Sequence, residues 1–364
     1  MSRNWRLLLS VVAGTLVAAA ILSATAVYAD AIRDLGLRYA LGQRDPRSLD
    51  VVVSQSNIPV SAARHADTRA RQDGAVRRVL GSASGEVIRQ GTTATLFPSA
   101  PGVAPVSASD RPRANIAFRT DLDRHVEVVA GAFPSPATGG TIEVLVGAET
   151  ADVAGLRVGQ ELDLTPFWDA TARPVRVRVA GIAREIDPTE RYWGTAGVRL
   201  DAASPNWVTY RLFVPEQTFF GALVAALPSV SADYRTQYLV RLDELNARGA
   251  LDVASGLASL MRVLNAVDDR VTVEGGLEPV LRTFDEKLFF TRIPLLVLLL
   301  QVGGIVAYYL VMVSTMLIER QAAEIATMRS RGATTPQLLA MYGVEGAALA
   351  VLATLAGPPL AGLI

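Results

Sequence analysis

Residues 289–332 read FFTRIPLLVLLLQVGGIVAYYLVMVSTMLI followed directly by ERQAAEIATMRSRG, an apolar run that passes without a spacer into a charged one. As a helix, Phe289–Ile318 would rise about 45 Å, more than a ~30 Å hydrocarbon core needs. Asp285 and Glu286 precede it, and Arg320, Arg329 and Arg331 follow it. That asymmetry puts the far end in the cytoplasm. Lys287 and Arg292 sit on the outer side, where their heads can snorkel to the interface. Pro294 falls in the first turns, where proline is tolerated or kinks the helix. Beyond the run, a helix over Glu319–Gly332 would gather Ile318, Ala322, Ile325 and Met328 on one face. Arg320 and Glu324 would pair at i,i+4 on another. Gly332 is a natural helix stop, and Thr335-Pro336 supply an N-cap and first-turn proline for the next helix. A topological connector with cytoplasmic arginines is the plainer reading of the same residues.

Two further apolar segments flank this one. Leu7–Tyr28 is about 22 residues long, with Arg3 and Arg6 before it and Asp30 after it. A cleaved signal peptide ending at Val27-Tyr28-Ala29 is the rival reading, but such apolar regions usually run about 7–15 residues. Leu338–Ile364 carries Glu345, Gly357, Pro358 and Pro359 and has no closing polar flank, so the chain is expected to stop inside or just after a third span. The expected layout is a cytoplasmic N-terminus (1–6), a first span (7–29), a stalk extension (30–48), an outer domain (49–276), a second stalk extension (277–288), a second span (289–318), a cytoplasmic loop (319–336) and the start of a third span (337–364). The expected fold class is a membrane protein: transmembrane α-helices plus a large α+β extracytoplasmic domain inserted between the first and second spans. Its place would be the bacterial plasma membrane, with lipid around the spans.

Composition agrees with that layout and excludes several functions. Half of the 364 residues are hydrophobic and mean hydropathy is +0.30, above an ordinary soluble domain. Formal net charge is +0, so nothing global points to nucleic acid. Cysteine is absent, which excludes disulfides and thiolate chemistry. Lys287 is the only lysine, so no G-x-x-x-x-G-K-[ST] loop exists and nucleotide hydrolysis through such a site is excluded.

The outer region mixes strands and helices without strict alternation, which predicts an α+β domain. Strands are expected at Leu49–Val53, Gly85–Arg89, Thr93–Phe97, Val126–Val129, Ile142–Val146, Leu162–Leu164, Pro174–Ile182 and Thr236–Leu242. In Pro174–Ile182 the valines 175, 177 and 179 alternate with Arg176 and Arg178, the pattern of a half-buried strand. Ser61–Leu80 reads as a charged helix. Val253, Leu257, Leu260, Leu264 and Val267 give another with one apolar stripe. Pro98–Pro112 is a Pro/Ser/Ala connector. In the stalk, Ile32, Leu35 and Tyr39 fall on one helical face, and the two stalk helices are expected to pair.

Few residues carry a chemical signature. His65 and His125 lie among charges without a second histidine at ligand spacing, and both are expected on solvated surface. Asp121 and Asp123 lack the spacing of a calcium loop, and no G-x-S-x-G positions a serine. The aromatic pair Tyr192-Trp193, with Trp168 and Trp207, reads either as an outer surface for a partner or as core. No metal site, cofactor site or catalytic set emerges, and the chain is expected to be a non-catalytic membrane subunit.

The segment from Glu319 resembles the signature of the FtsX/MacB/LolC-type ABC transporter permeases, which runs roughly E-R-x-x-E-I-A-x-x-R-x-x-G-A before a third span with an early glutamate. The matching positions are Glu319, Arg320, Glu324, Ile325, Ala326, Arg329, Gly332 and Ala333, then Gln337 and Glu345. Arg331 departs from the family, where many members carry an apolar residue. A second resemblance, to the MacB-type extracytoplasmic domain, lies in Val128, Gly131, Phe133 and Pro134, then IEVLVG, then Ala154–Gly159 and Val177–Ile182. The resemblance implies a separate cytoplasmic ABC ATPase docking on Glu319–Ala333 and a homodimer or pairing with a related permease half. It also implies an extracytoplasmic substrate or partner protein: members export or hand on substrates, or control a cell-envelope process. A membrane receptor with an outer ligand-binding domain fits the chain up to Ile318, but re-entry into an apolar segment within about 20 residues disfavours it. A membrane-anchored hydrolase lacks a visible catalytic set.

Overall fold

The triplet Val51-Val52-Val53 opens the first strand because β-branched side chains suit a half-buried pleated surface. The computed structural model describes residues 31–102, 112–137, 140–169, 171–195, 199–201, 203–204, 207–266, 270–332, 334–337 and positions 340, 343–344, 347 and 351. For 203–204, 207–208, 289–292, 294–295, 298–299, 310, 313–314, 317–318, 320–321, 323–325 and 328 only the backbone is described. The expected first span, most of Pro98–Pro112 and nearly all of the third span lie outside those residues.

In chain order the elements are α1 (31–42), β1 (Val51–Pro59), α2 (Ala62–Leu80), β2 (Ser84–Thr93), β3 (Leu96–Ser99), β4 (Arg113–Arg119) and β5 (Val126–Gly131). Then come β6 (Ile142–Gly147), α3 (Ala148–Ala154), β7 (Glu161–Pro166), β8 (Val175–Glu185), β9 (Ala203–Ser204) and β10 (Trp207–Phe213). The last are α4 (Glu216–Phe220), α5 (Ala222–Ala226), β11 (Ser231–Val240), α6 (Ala250–Asn265), β12 (Val271–Glu274) and α7 (Leu277–Ser330). The chain divides into two units, one holding residues 31–37 and the chain from Thr283, the other Arg38–Arg282.

The larger unit is α+β, as the mixed sequence pattern predicts. Its strands form one sheet with two parts. β12, β1, β11 and β2 make an antiparallel ribbon. β2 then pairs with β4, and the order continues through β3, β7, β8, β6 and β10. A parallel pairing of β10 with β4 closes these last six strands into a ring. Alternation along the strands sends Ile116, Phe118, Val144, Val146, Val177, Val179 and Leu212 into one core, capped by Phe219 and Leu223 of α4 and α5. The intervening Ala117, Leu145, Ala183 and Phe213 enter a second core on the opposite face, under Tyr192 and Trp193.

Two helices accompany the ribbon. Ser61 caps α2 by accepting from the Arg64 amide, and the helix buries Gln72, Ala75, Val76 and Leu80. Its Gln72 donates to Gln55 of β1 at 3.1 Å. The stripe predicted for α6 is present at Leu257, Leu260 and Leu264. Gly256 lets α6 approach α2 closely, for a Cβ there would lie 2.8 Å from Val79.

Several expectations need correction. Thr93–Phe97 is not one strand: pairing breaks at Ala94, whose N–H goes to Ser231, and resumes in β3 with a different partner. β1 continues to Pro59, past a register shift that Asn57 accommodates at φ 55°. The shared face of Ile32, Leu35 and Tyr39 on α1 needs no such correction: all three are exposed, and the buried side chains are Leu37 and Leu41. Within the smaller unit, Gly36 of α1 faces Phe284 of α7, where a Cβ would make ordinary contact at 3.4 Å.

Candidate functional site

The charged segment 319–332 forms the last turns of α7, a continuous helix of 54 residues that also contains 289–318. Among the described residues no helix is long and apolar enough to cross a membrane. Glu319, Ala326 and Arg329 are exposed, as is Ala322. The side chains of Arg320, Glu324 and Ile325, the whole of Ala333 and Glu345 lie outside the described residues, so their expected pairing and face go undescribed with them. Gly332 has φ 91° and its amide closes on the Arg329 carbonyl at 3.0 Å, the left-handed stop that glycine takes cheaply. Helix resumes at 335, one residue earlier than expected from Thr335 as cap. The cap is Thr334: its N–H donates to Gln337 Oε1 at 3.1 Å, and its carbonyl accepts from the Gln337 amide at 3.1 Å. This is the backward half of a capping box. Arg329 reaches across the hinge, donating from Nη2 to Thr335 Oγ1 at 3.2 Å. Its cation also sits well at a helix C-terminus.

In the larger unit the motif stretches meet at one crossing. Gly131 of β5 lies opposite Gly181 of β8. A Cβ on Gly131 would stand 2.1 Å from the Ala180 carbonyl, and one on Gly181 would stand 2.3 Å from the Ala132 carbonyl. Gly131 also has φ 75°, so it needs glycine on two counts. The Gly159 amide donates to the Val179 carbonyl at 2.8 Å, tying the turn after α3 to the same strand. IEVLVG is β6, parallel to β8.

Tyr192 and Trp193, offered by the sequence as an outer surface, are only 3% and 0% exposed. The turn Arg191–Trp193 folds back over the opposite face of the ring strands and buries both rings there. The Arg119 guanidinium lies 4.4 Å from the Tyr192 ring centre and 5.4 Å from that of Trp193. It donates to Gln90 Oε1 at 2.6 Å and to the Tyr192 carbonyl. Burial lowers the Arg119 pKa and raises that of the Tyr192 phenol. Arg211 is pushed down to about 10, first by burial and then by Arg119. Next to this cluster Asp50 accepts from Arg191, from Gln237 Nε2 at 3.0 Å and from the Val240 amide at 3.1 Å. Burial pushes its carboxyl up, and Arg191 opposes that shift.

Neither histidine is on solvated surface. The His65 ring stacks on Phe220 at 4.8 Å and lies 4.9 Å from Tyr234. Its Nε2 is buried without a partner, and burial, then Arg69 and Arg89, lower its pKa to about 4. His125 stacks on Tyr192 at 3.6 Å, with Nδ1 2.8 Å from Glu190 Oε2. Both positions read as surface because their sequence neighbours are charged, while the aromatic partners come from distant strands and turns. Trp168 packs partly buried against the ring core and donates to Ser229 Oγ at 3.2 Å. Asp121 sits at φ 54° before a short turn holding Asp123, and no group of three potential metal ligands occurs among the described residues. Arg119, Asp50 and Arg191 carry no sequence signal that separates them from surface charges. Their hydrogen bonds go to fixed partners within the fold, which makes this cluster a brace for the turn at 190–194.

No family model matches the chain, and no curated protein matches it. Among solved structures it is similar to the periplasmic region of MacB from Actinobacillus actinomycetemcomitans, at 11% identity and a TM-score of 0.33, over 66% of this chain and 96% of that one. It is also similar to a domain described as that of a permease protein from Porphyromonas gingivalis, at 10% identity and a TM-score of 0.29, over 63% and 88%.

Proposed function

We propose that this chain is the permease subunit of an ABC transporter of the FtsX/MacB/LolC type, anchored in the plasma membrane with its larger unit outside the cytoplasm. The observation that carries the reading is α7, one helix from Leu277, directly after β12, to Ser330 in the charged segment. At 1.5 Å per residue such a helix is about 80 Å long, more than twice the ~30 Å thickness of a hydrocarbon core. Ile293, Leu296, Leu300, Ile305, Tyr308, Val311 and Met312 are all exposed along it, side chains that water would not favour and lipid would. The motif residues Glu319, Arg320, Glu324, Ile325, Ala326, Arg329, Gly332 and Ala333 then form the contact for a separate ATPase. Nucleotide-driven closure of that partner pushes the end of α7, and the helix carries the displacement to the outer domain, which expels or hands on a substrate or signals to an envelope enzyme. The chain needs no catalytic group of its own for this.

The test is association. Charge reversal at Arg320 or Glu324 is expected to weaken capture of the cognate ATPase about ten-fold or more, the loss of ~1.4 kcal/mol at a charged contact. Insertion of the variant chains in the membrane should be unchanged. Full capture by both variants would remove the coupling role from this segment.

A further inference from the structure

We propose that Arg331 sets the choice of partner at the hinge, by pairing with a carboxylate on the cytoplasmic ATPase. The inference rests on the function proposed above and adds the chemistry of the contact. Two arginines flank the end of α7, and the structure separates their roles. Arg329 is tied within the chain, donating across the hinge to Thr335 Oγ1 at 3.2 Å. Arg331 lies past Ser330, the last residue of α7, and beside Gly332, whose φ of 91° ends the helix. It is exposed, and no described residue holds it.

The chain offers this cation no counter-ion nearby. From Ile325 to Val344 there is no acidic residue. Glu324 lies seven residues back, about 10 Å along a helix axis and outside the three- and four-residue spacings at which helical side chains pair. Glu345 stands ten residues past the point where helix resumes. The other stretch expected in the cytoplasm, residues 1–6, carries Arg3 and Arg6 and no acid. Length then separates a protein carboxylate from a lipid phosphate. Ser330 is twelve residues beyond Ile318 on the same helix, about 18 Å along its axis. The headgroup layer is only about 5–8 Å thick on each side of the core. Even at a tilt of about 40°, the helix raises Ser330 about 14 Å. Phe289–Ile318 is longer than the core is thick, so sliding the core toward Phe289 carries Arg331 farther out. The cation stands clear of the headgroups, where a cytoplasmic protein reaches it. Such a charge discriminates among partners, because a wrong partner that presents a cation there is repelled.

The experiment uses the full chain in lipid nanodiscs and the P-loop ATPase that co-purifies with it from its own membranes. Affinity is measured for Arg331→Glu, Arg331→Leu and Arg331→Lys, in discs of zwitterionic lipid and in discs with added anionic lipid. Arg331→Glu is expected to weaken binding about ten-fold or more and Arg331→Leu about three-fold, while Arg331→Lys stays near the parent chain. The loss should shrink at high salt. Replacing exposed Asp and Glu residues of the ATPase one at a time by Lys should reveal one position that restores binding to Arg331→Glu. Unchanged amide exchange across residues 319–330 reports that α7 is intact in each variant. Parent-like binding of Arg331→Glu, with weakened binding of the Arg320 or Glu324 reversals, would overturn this inference and leave the coupling role standing. Parent-like binding of all of them, or the absence of a co-purifying ATPase, would remove that role as well. A loss confined to discs with anionic lipid would assign Arg331 to the membrane surface and overturn the proposal.

Discussion

Asp50 has its carboxylate wholly out of water, held by Arg191, Gln237 and the Val240 amide. Removing one partner of a buried pair leaves the other charge uncompensated, so Asp50→Ala is expected to cost about 3–5 kcal/mol in urea unfolding of the chain. Asp50→Asn should cost less, because its amide oxygen can still accept from the Val240 N–H. His65 gives a pH signature. Its folded pKa is about 4, against 6.5 for the free side chain. Between those values the unfolded chain binds the extra proton, so stability is complete above pH 6.5 and is lost as pH falls toward 4. His65→Phe keeps an aromatic ring against Phe220 and Tyr234, and should flatten that part of a plot of unfolding midpoint against pH. An unchanged slope would remove His65 as its source.

At the scale of elements, the β5–β8 crossing depends on two glycines. Gly131→Ala meets both a positive φ and a carbonyl, and Gly181→Ala meets a carbonyl from the other side. Each is expected to cost more than ~1 kcal/mol and to speed amide exchange in β5 before the ribbon strands β1 and β11 respond. Equal loosening of ribbon and crossing would contradict that locality. How far the elements were legible follows from how their burial was shared. β8 and α6 announce themselves because one face is polar, so period 2 and period 3.6 survive in the sequence. β4 and β10 escaped because both of their faces are buried, and ANIAF or RLF shows no alternation. What covers the shared face of α1 was not legible for a related reason. Ile32, Leu35 and Tyr39 are as regularly spaced as a core stripe, and periodicity cannot say what covers an apolar face. Of the candidate site, the hinge at Gly332 was legible from glycine chemistry, and its cap was displaced by one residue because Gln337 selects Thr334. Burial of Tyr192 and Trp193 was not legible, since it depends on strands that are distant in sequence.

At the scale of the whole molecule the question is whether α7 works as a rod. Stiffness separates that idea from a mere tether. Replacing Glu286-Lys287 by Pro-Gly or by Ala-Ala removes the same two side chains and keeps chain length constant. Relative to alanine, proline costs a helix interior about 3 kcal/mol and glycine about 1 kcal/mol, so only the first variant breaks the helix. Neither touches Glu319–Ala333, so on the proposed function both should bind an ATPase partner as the parent chain does. If nucleotide-driven motion travels along α7, nucleotide should change amide exchange in the outer domain of the Ala-Ala variant and not in the Pro-Gly variant. A tether predicts the opposite pattern, with both variants responding alike, because a flexible joint transmits tension as well as a straight helix does. A Pro-Gly chain that still responds fully would therefore rule out pushing through α7 while leaving ATPase docking at its end intact.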